Sequence, residues 1–373
     1  MELLPGLKKG GITIISHHIL VINTGIQSLK IAVFKDDKLV FNKTIRDNLI
    51  LTIDDETRRQ KQLTVMKQRL LLQLKQAGIE MKKIDLVISN TGYLKPLSSG
   101  VYTINAAMVA DLIANASYTV EGSFGAILAQ SLSAYYHIPA VTYDPPTVDE
   151  LQPEARISGH PQFERRSYFN ALNQKAVSRQ VAEKIGKSYE SSRFVVAHLG
   201  SAISVGVHKD GKVVDVNNGY FGGGPFSTIR TGSLPLSGWL IEYRDALIEP
   251  KKIDKLIHEG GFSAYLGTDS LTDVEWEIAA GNQKAIAIYE AMLYQIAKEI
   301  GAYATVLKGD IDAIILTGGM TISPYLVEQL IPYIEWIAPI YTIEDQLEMK
   351  TMGEIGLRIL QGTETVRDYQ SSR

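Results

Sequence analysis

Three runs in this chain carry apolar residues straight into a glycine turn furnished with hydrogen-bond donors. The first is Ile19-Leu20-Val21-Ile22-Asn23-Thr24-Gly25, with Ser28 and Lys30 just beyond. The second is Val196-Ala197-His198-Leu199-Gly200, followed by Ser201 and Ser204. The third is Ile315-Leu316-Thr317-Gly318-Gly319. A turn of glycine and small residues aims consecutive N–H groups at one spot and lets an anion approach closely. Amide, hydroxyl, imidazole and ammonium donors beside such turns suit phosphate. Taken singly, each glycine does no more than shape a hairpin; three such turns after buried strands shift the reading toward a nucleotide.

Other side chains fit that chemistry less specifically. Arg230, between a Gly-rich loop and Thr231-Gly232, has the fork geometry to clamp a phosphate or carboxylate, and equally that of a surface arginine. Asp144 follows a strand and precedes two prolines, and Glu348 opens the last helix. Either carboxylate suits Mg²⁺, which takes one or two carboxylates together with phosphate oxygens. Turn capping explains Asp144 as well, and the helix dipole explains Glu348 as well. The seven histidines show no HxH or HExxH spacing. The chain has neither a GxSxG elbow nor a GxxxxGK[ST] loop. Zinc-protease, serine-hydrolase and P-loop chemistries are therefore excluded.

The elements that must hold these turns repeat. After Gly25 come a second strand (Ser28 to Phe34), a tight turn at Asp36-Asp37 and a third strand at Leu39-Val40-Phe41. After Gly200 come Ile203 to Val207, Asp210-Gly211 and Val213 to Val216. Two meanders of one design imply two like domains facing each other across a phosphate. Elsewhere the periodicity predicts helices over 54–78, 101–115, 122–137, 166–187, 251–259, 271–281, 283–307, 325–334 and 346–361. Short strands fall at 84–89, 140–143, 312–316 and 337–341. Strands alternating with helices make the fold α/β. The Pro-rich stretch from Asp144 to Pro161 reads as the domain connection, and Arg165-Arg166-Ser167-Tyr168-Phe169 as a helix start.

A length of 373 residues favours two domains. Hydrophobic and charged fractions of 45% and 21%, with a net charge of −3, give an ordinary globular balance without the basic field that nucleic acid requires. An anionic ligand must instead meet a local cluster of donors. The absence of cysteine removes disulfides and thiolate chemistry and fits a reducing compartment. No apolar run has the length of a signal sequence or a membrane span, so a cytoplasmic protein without membrane partners is expected.

Over residues 18 to 363 these motifs resemble the acetate and butyrate kinase family, the butyrate kinases most closely, within the sugar kinase, Hsp70 and actin superfamily. The first two glycine turns resemble its two phosphate motifs, and Thr317-Gly318-Gly319 its adenosine motif. Asp144-Pro145, Ala155-Arg156-Ile157-Ser158-Gly159, Leu172-Asn173-Gln174-Lys175-Ala176 and Gly224-Pro225-Phe226-Ser227 with Arg230 are also family-like. The resemblance implies two duplicated ribonuclease H-like, actin-like ATPase domains with a cleft between them. An N-terminal domain of residues 1–156 plus 345–373 would hold the acyl substrate, and residues 157–344 the nucleotide and a dimer or larger homo-oligomer contact. It implies ATP, Mg²⁺ and a short-chain carboxylate or its acyl phosphate as ligands. Asn23, Gly25, Ser28, Lys30, Gly200, Ser201, Thr317, Gly318 and Gly319 would line the nucleotide. Arg230 and His198 would face the transferring phosphoryl group, and Asp144 and Glu348 would hold the metal.

The chain departs from the family at several of these places. Asn90 stands where an arginine is usual and Asn170 where a histidine is usual. Ser201-Ala202 and Ile26-Gln27 replace the usual motif residues, and an acidic residue is missing from 221–223. Two functions follow from this pattern: a kinase acting on butyrate or a related short-chain acid, or a degenerate paralogue that binds nucleotide or a partner without turnover.

Overall fold

The computed structural model describes residues 16–25, 28–46, 55–115, 121–237, 255–344 and 347–370. Its strands are β1 (His18–Gly25), β2 (Ser28–Lys35), β3 (Lys38–Arg46), β4 (Leu86–Ser89), β5 (Val101–Thr103), β6 (Ala140–Tyr143), β7 (Arg193–Leu199), β8 (Ile203–Lys209), β9 (Lys212–Val216), β10 (Ala313–Thr317), β11 (Ile340–Ile343) and β12 (Val366–Arg367). Its helices are α1 (Glu56–Gln76), α2 (Ala106–Ala114), α3 (Glu121–Tyr136), α4 (Pro153–Arg156), α5 (Ala171–Lys184), α6 (Gly261–Leu266), α7 (Leu271–Ala279), α8 (Gln283–Ala304), α9 (Pro324–Ile334) and α10 (Glu348–Leu360).

The first sheet runs β12-β5-β6-β4-β1-β2-β3 and the second β11-β10-β7-β8-β9. Each contains an antiparallel meander with two parallel strands added beside its first strand. The duplication therefore extends past the meanders to five strands per sheet, and it reaches fine detail. Both acidic turns place an aspartate at positive φ, Asp36 at 55° and Asp210 at 52°. A short polar side chain tolerates that left-handed geometry. Both meanders also shift register at the same place, between Val33 and Phe34 and between Val207 and His208.

Helices on both faces explain the continuous apolar strands. Ile19 to Ile22 and Phe194 to Ala197 are fully buried, as central strands with a parallel neighbour must be. Residues of α1 and α3 pack on one face of the first sheet. The chain returns from the second sheet to cover the other face with α10. Two glycines set that approach: a Cβ at Gly353 would lie 2.7 Å from Phe34, and one at Gly356 2.7 Å from Ile19. In the second sheet α8 covers one face, and Val177 and Val181 of α5 pack against Phe194, Val196 and Ile315 on the other.

Several elements differ from the sequence reading. Residues 101–103 are strand β5, and the helix begins only after Asn105, whose side chain accepts from the Met108 N–H at 3.0 Å. Val-Tyr-Thr is β-prone, and the cap separates it from the helical run behind it. Helix α5 starts at Ala171, so Arg165 to Phe169 form a loop. Strand β11 lies at 340–343 instead of 337–341, and β12 has no sequence signal. The helix ends expected at 54, 251 and 346, and the departures at Ile26 and Gln27, lie outside the described residues.

The connecting stretch is a packed strut. Leu97 N–H donates to Thr147 O at 3.0 Å and Asp149 N–H to Leu97 O at 2.8 Å, tying it to the first sheet's side. Gln152 N–H donates to Val214 O at 2.9 Å and Val213 N–H to Glu150 Oε2 at 3.0 Å, tying it to β9. Val148, Leu151, Ala155 and Phe169 pack against Val213 and Val216. Glu150 also pairs with Lys175 at 2.9 Å, and the Lys175 side chain is 1% exposed. Removing one partner strands a buried ammonium. We therefore expect Glu150→Ala to cost about 3 kcal/mol in urea denaturation, and Glu150→Gln less. Equal, small losses for both variants would contradict the strut.

Candidate active site

A cleft of about 380 Å³ opens between the two sheets. Its lining draws Asn23, Thr24 and Gly25 from the end of β1, and Asn90 to Gly92 from beyond β4. Tyr143 and Asp144 come from the end of β6, Asn170 to Asn173 from the start of α5, and Ser201 from the turn after β7. Tyr220, Arg230 and Glu348 complete the polar wall. Of the residues singled out by sequence, Asn23, Gly25, Asn90, Asp144, Asn170, Ser201, Arg230 and Glu348 thus share one cavity.

The others lie behind that wall. Ser28 faces Gly25, and Lys30 faces Asn23, across the β1–β2 ladder. Lys30 is also close enough to Glu348 to favour its charged form electrostatically, against burial, which raises that carboxyl above the ordinary value of 4.5. His198 is buried, and its Nδ1 lies 2.8 Å from Asn173 Oδ1. Burial pushes the imidazole down to about 4, so at neutral pH the ring carries no charge. This corrects the expectation of a direct donor to phosphate: His198 reaches the cleft through Asn173. Thr317 pairs with His198 in the β10–β7 register. Gly318 has φ 98°, and a Cβ there would sit 2.5 Å from Leu199 O, so its glycine serves the packing of two strand ends. Gly319 faces open space.

Asn90, which stands where the resembling family has an arginine, has its amide already engaged. Its Nδ2 donates to Thr24 O at 2.9 Å, and its Oδ1 accepts from the Thr24 N–H at 3.1 Å. Both ends of the amide are engaged with Thr24, so Asn90 latches the ends of β4 and β1 together in place of supplying a cleft cation. Asn170 is different. It is the N-cap of α5 yet makes no side-chain capping bond. Its Nδ2 donates to the Tyr220 hydroxyl at 3.2 Å, and its Oδ1 accepts from Ser204 Oγ at 3.1 Å.

Asp144 is held in a left-handed conformation, φ 42°, by Oδ1, which accepts from Ser99 Oγ at 2.6 Å and from the Gly100 N–H at 2.9 Å. Its Oδ2 is buried without a hydrogen-bond partner. Strain of this kind persists where the surroundings over-determine it, often at functional sites. An orphaned carboxylate oxygen in the same cleft as Glu348 fits a hard cation that takes its remaining ligands from phosphate. Among the described residues no cluster of three His, Asp or Glu could hold a metal without such help.

The sequence reading missed an aromatic group, two members of which, Tyr168 and Tyr220, line the cleft. Tyr168 lies 4.7 Å from Tyr220 and 5.2 Å from both Tyr93 and Phe221, ring centre to ring centre. The Arg230 guanidinium, buried, stands 5.7 Å from the Tyr220 ring centre. The only sequence signal for this group was the run Tyr220-Phe221 in a Gly-rich loop, and no spacing linked it to Tyr93 or Tyr168.

Comparison with known proteins agrees with this geometry. Residues 162–338 match the Acetokinase family model. The Porphyromonas gingivalis acetate kinase structure superposes with a TM-score of 0.75 at 16% identity, covering 92% of this chain and 100% of that one. A propionate kinase from Francisella tularensis subsp. tularensis SCHU S4 gives 0.73 at 17% identity, covering 91% and 98%. The acetate kinase of Entamoeba histolytica gives 0.70 at 15%, covering 92% and 100%. The chain has the acetate kinase fold. In that two-domain, actin-like ATPase fold, the cavity described above is the cleft between the domains. Among the described residues no helix is long and apolar enough to cross a membrane.

The two glycines after β10 differ in what a side chain would meet there. Gly318→Ala is expected to cost about 2 kcal/mol or more, through φ strain and collision with Leu199. Gly319→Ala should change stability by less than about 1 kcal/mol and should weaken nucleotide binding instead. Urea denaturation beside a nucleotide titration reads both. Equal stability costs would contradict the assignment.

Proposed function

We propose that this protein transfers the γ-phosphoryl group of ATP to the carboxylate of a short-chain acid, butyrate or a close homologue, giving an acyl phosphate and ADP. The observation that carries the reading is the meeting, in one cleft, of Arg230, the Asn23–Gly25 turn, Ser201 and the start of α5. A helix start directs unsatisfied N–H groups and positive dipole at an anion. The Asn170 side chain, at the start of α5, is not spent on capping that helix.

Phosphoryl transfer asks mainly for positioning and charge neutralisation. Asn23 and the backbone at Gly25 and Ser201 would cradle the phosphates. Arg230, desolvated and steadied by Tyr220, would compensate charge on the equatorial oxygens of the moving group. Pro145, Pro146, Phe169 and Leu172 supply an apolar wall for the acyl chain. Asp144 and Glu348 would hold Mg²⁺, which when bound neutralises phosphate charge. The alternative of a non-catalytic paralogue accounts less well for a buried arginine and an orphaned carboxylate oxygen kept in the same cleft. Homo-oligomer formation through residues 157–344, and a cytoplasmic setting, belong to the same reading.

Incubation with Mg-ATP and acids from acetate to hexanoate, with hydroxylamine trapping, tests it. Hydroxamate should form, best with a mid-length acid. Arg230→Ala should lower kcat by about 10²-fold or more with a much smaller change in KM for ATP. No product above the blank with any of these acids would overturn the reading.

A further inference from the structure

We infer that the Tyr220 hydroxyl is a donor to the transferring phosphoryl group, aimed by a one-way chain of hydrogen bonds that starts deep in the second domain. This deepens the function proposed above and rests on it for the identity of the ligand.

The polarity of the chain builds outward from one atom that can only accept. Gln174 Nε2 lies 3.0 Å from the Ser204 carbonyl oxygen, which can only accept, so the Gln174 amide orientation is settled. Its Oε1 must therefore accept, and it does so from His208 Nε2 at 3.0 Å. That places the proton of a neutral His208 on Nε2, and burial holds the ring neutral. Nδ1 of His208 then accepts from the Tyr189 hydroxyl at 2.8 Å. On the other side, Gln174 Nε2 also donates to Ser204 Oγ at 2.9 Å. Ser204 in turn gives its proton to Asn170 Oδ1 at 3.1 Å. With Oδ1 of Asn170 turned to Ser204, its Nδ2 faces Tyr220 and donates to the hydroxyl at 3.2 Å. A phenol that accepts from Asn170 gives its own proton elsewhere, and Tyr220 lines the cleft beside Arg230.

The fold reserves room for this chain. A Cβ at Gly206, inside β8, would lie 2.5 Å from Gln174 Oε1 and push that amide off His208. Gln174, Ser204 and His208 are each fully buried. Buried polar side chains are costly unless every member is satisfied, and hydrogen bonds in series polarise one another. Asn170 stands where the resembling family carries a histidine, and its amide is not aimed freely into the cleft. The chain instead passes the donor role on to a phenol.

Tyr220→Phe removes only the hydroxyl, so the ring packing and the melting temperature should survive. In the hydroxamate assay we expect it to lower kcat by about 10²-fold, with KM for ATP within about threefold of wild type. Ser204→Ala, which frees the Asn170 amide, should lower kcat by about tenfold, and the double variant should be no worse than Tyr220→Phe alone. Calorimetry with ADP and ADP–aluminium fluoride gives a readout independent of turnover. Wild type should bind the fluoroaluminate complex more tightly than ADP, and Tyr220→Phe should lose that difference while binding ADP unchanged. A wild type that binds the fluoroaluminate complex but turns over no acid would defeat the proposed function and leave this inference standing on the binding arm. Tyr220→Phe with kcat within about threefold of wild type, or with its fluoroaluminate preference intact, overturns the inference, as does a wild type without that preference.

Discussion

Three helix starts converge on this cleft, and that convergence governs its chemistry. The leading amides of a helix have no partner within it. Here α5 begins at the cavity without a side-chain cap, α10 begins there at Glu348, and the first turn of α3 reaches it at Gly122. The duplicated sheets bring these starts together, because in each half the parallel strands end on the same side as the glycine turn of the meander. The arrangement concentrates partial positive charge in the one place where Arg230 is also buried. An anion of several charges, as the proposed function requires, would relieve it.

Carboxylates temper that field instead of cancelling it. Asp144 uses one oxygen to brace its own strained backbone and leaves the other without a partner. Glu348 sits under partial burial with Lys30 behind it. The pair is too sparse to form a metal cage unaided, which suits a cation that arrives already bound to phosphate. The strut from residue 144 onward ties this acidic corner to β9 through Glu150 and Val213, so the carboxylates keep their place relative to the second domain.

Much of the framework was legible in sequence because burial writes itself as apolar runs. The two meanders, the strand into Thr317 and the glycine turns all appear as period and punctuation. The parallel strands that complete the duplication were visible one by one, but their shared order was not, since register between distant strands leaves no local trace. Strand β5 was lost inside an apolar run that also suits a helix; only the Asn105 cap divides them. At the site, Arg230 and Asp144, singled out by residue type, and Asn90 and Asn170, singled out as departures from the resembling family, all line the cleft. Residue type gave no sign that the Asn90 amide pairs with Thr24 or that the His198 ring is turned to Asn173. Tyr220 escaped notice because an aromatic in a loop carries no periodic signal, and its partners come from two separate segments, at 168–170 and at 230.

The central claim is that a triphosphate lies in the cleft between the two glycine turns. A crystal structure with Mg²⁺ and a non-hydrolysable ATP analogue tests it most directly. The account predicts phosphates bridging the Asn23–Gly25 and Gly200–Ser201 turns, with the terminal one within hydrogen-bond distance of Arg230. Nucleotide bound elsewhere, or phosphates that leave Arg230 untouched, would contradict it.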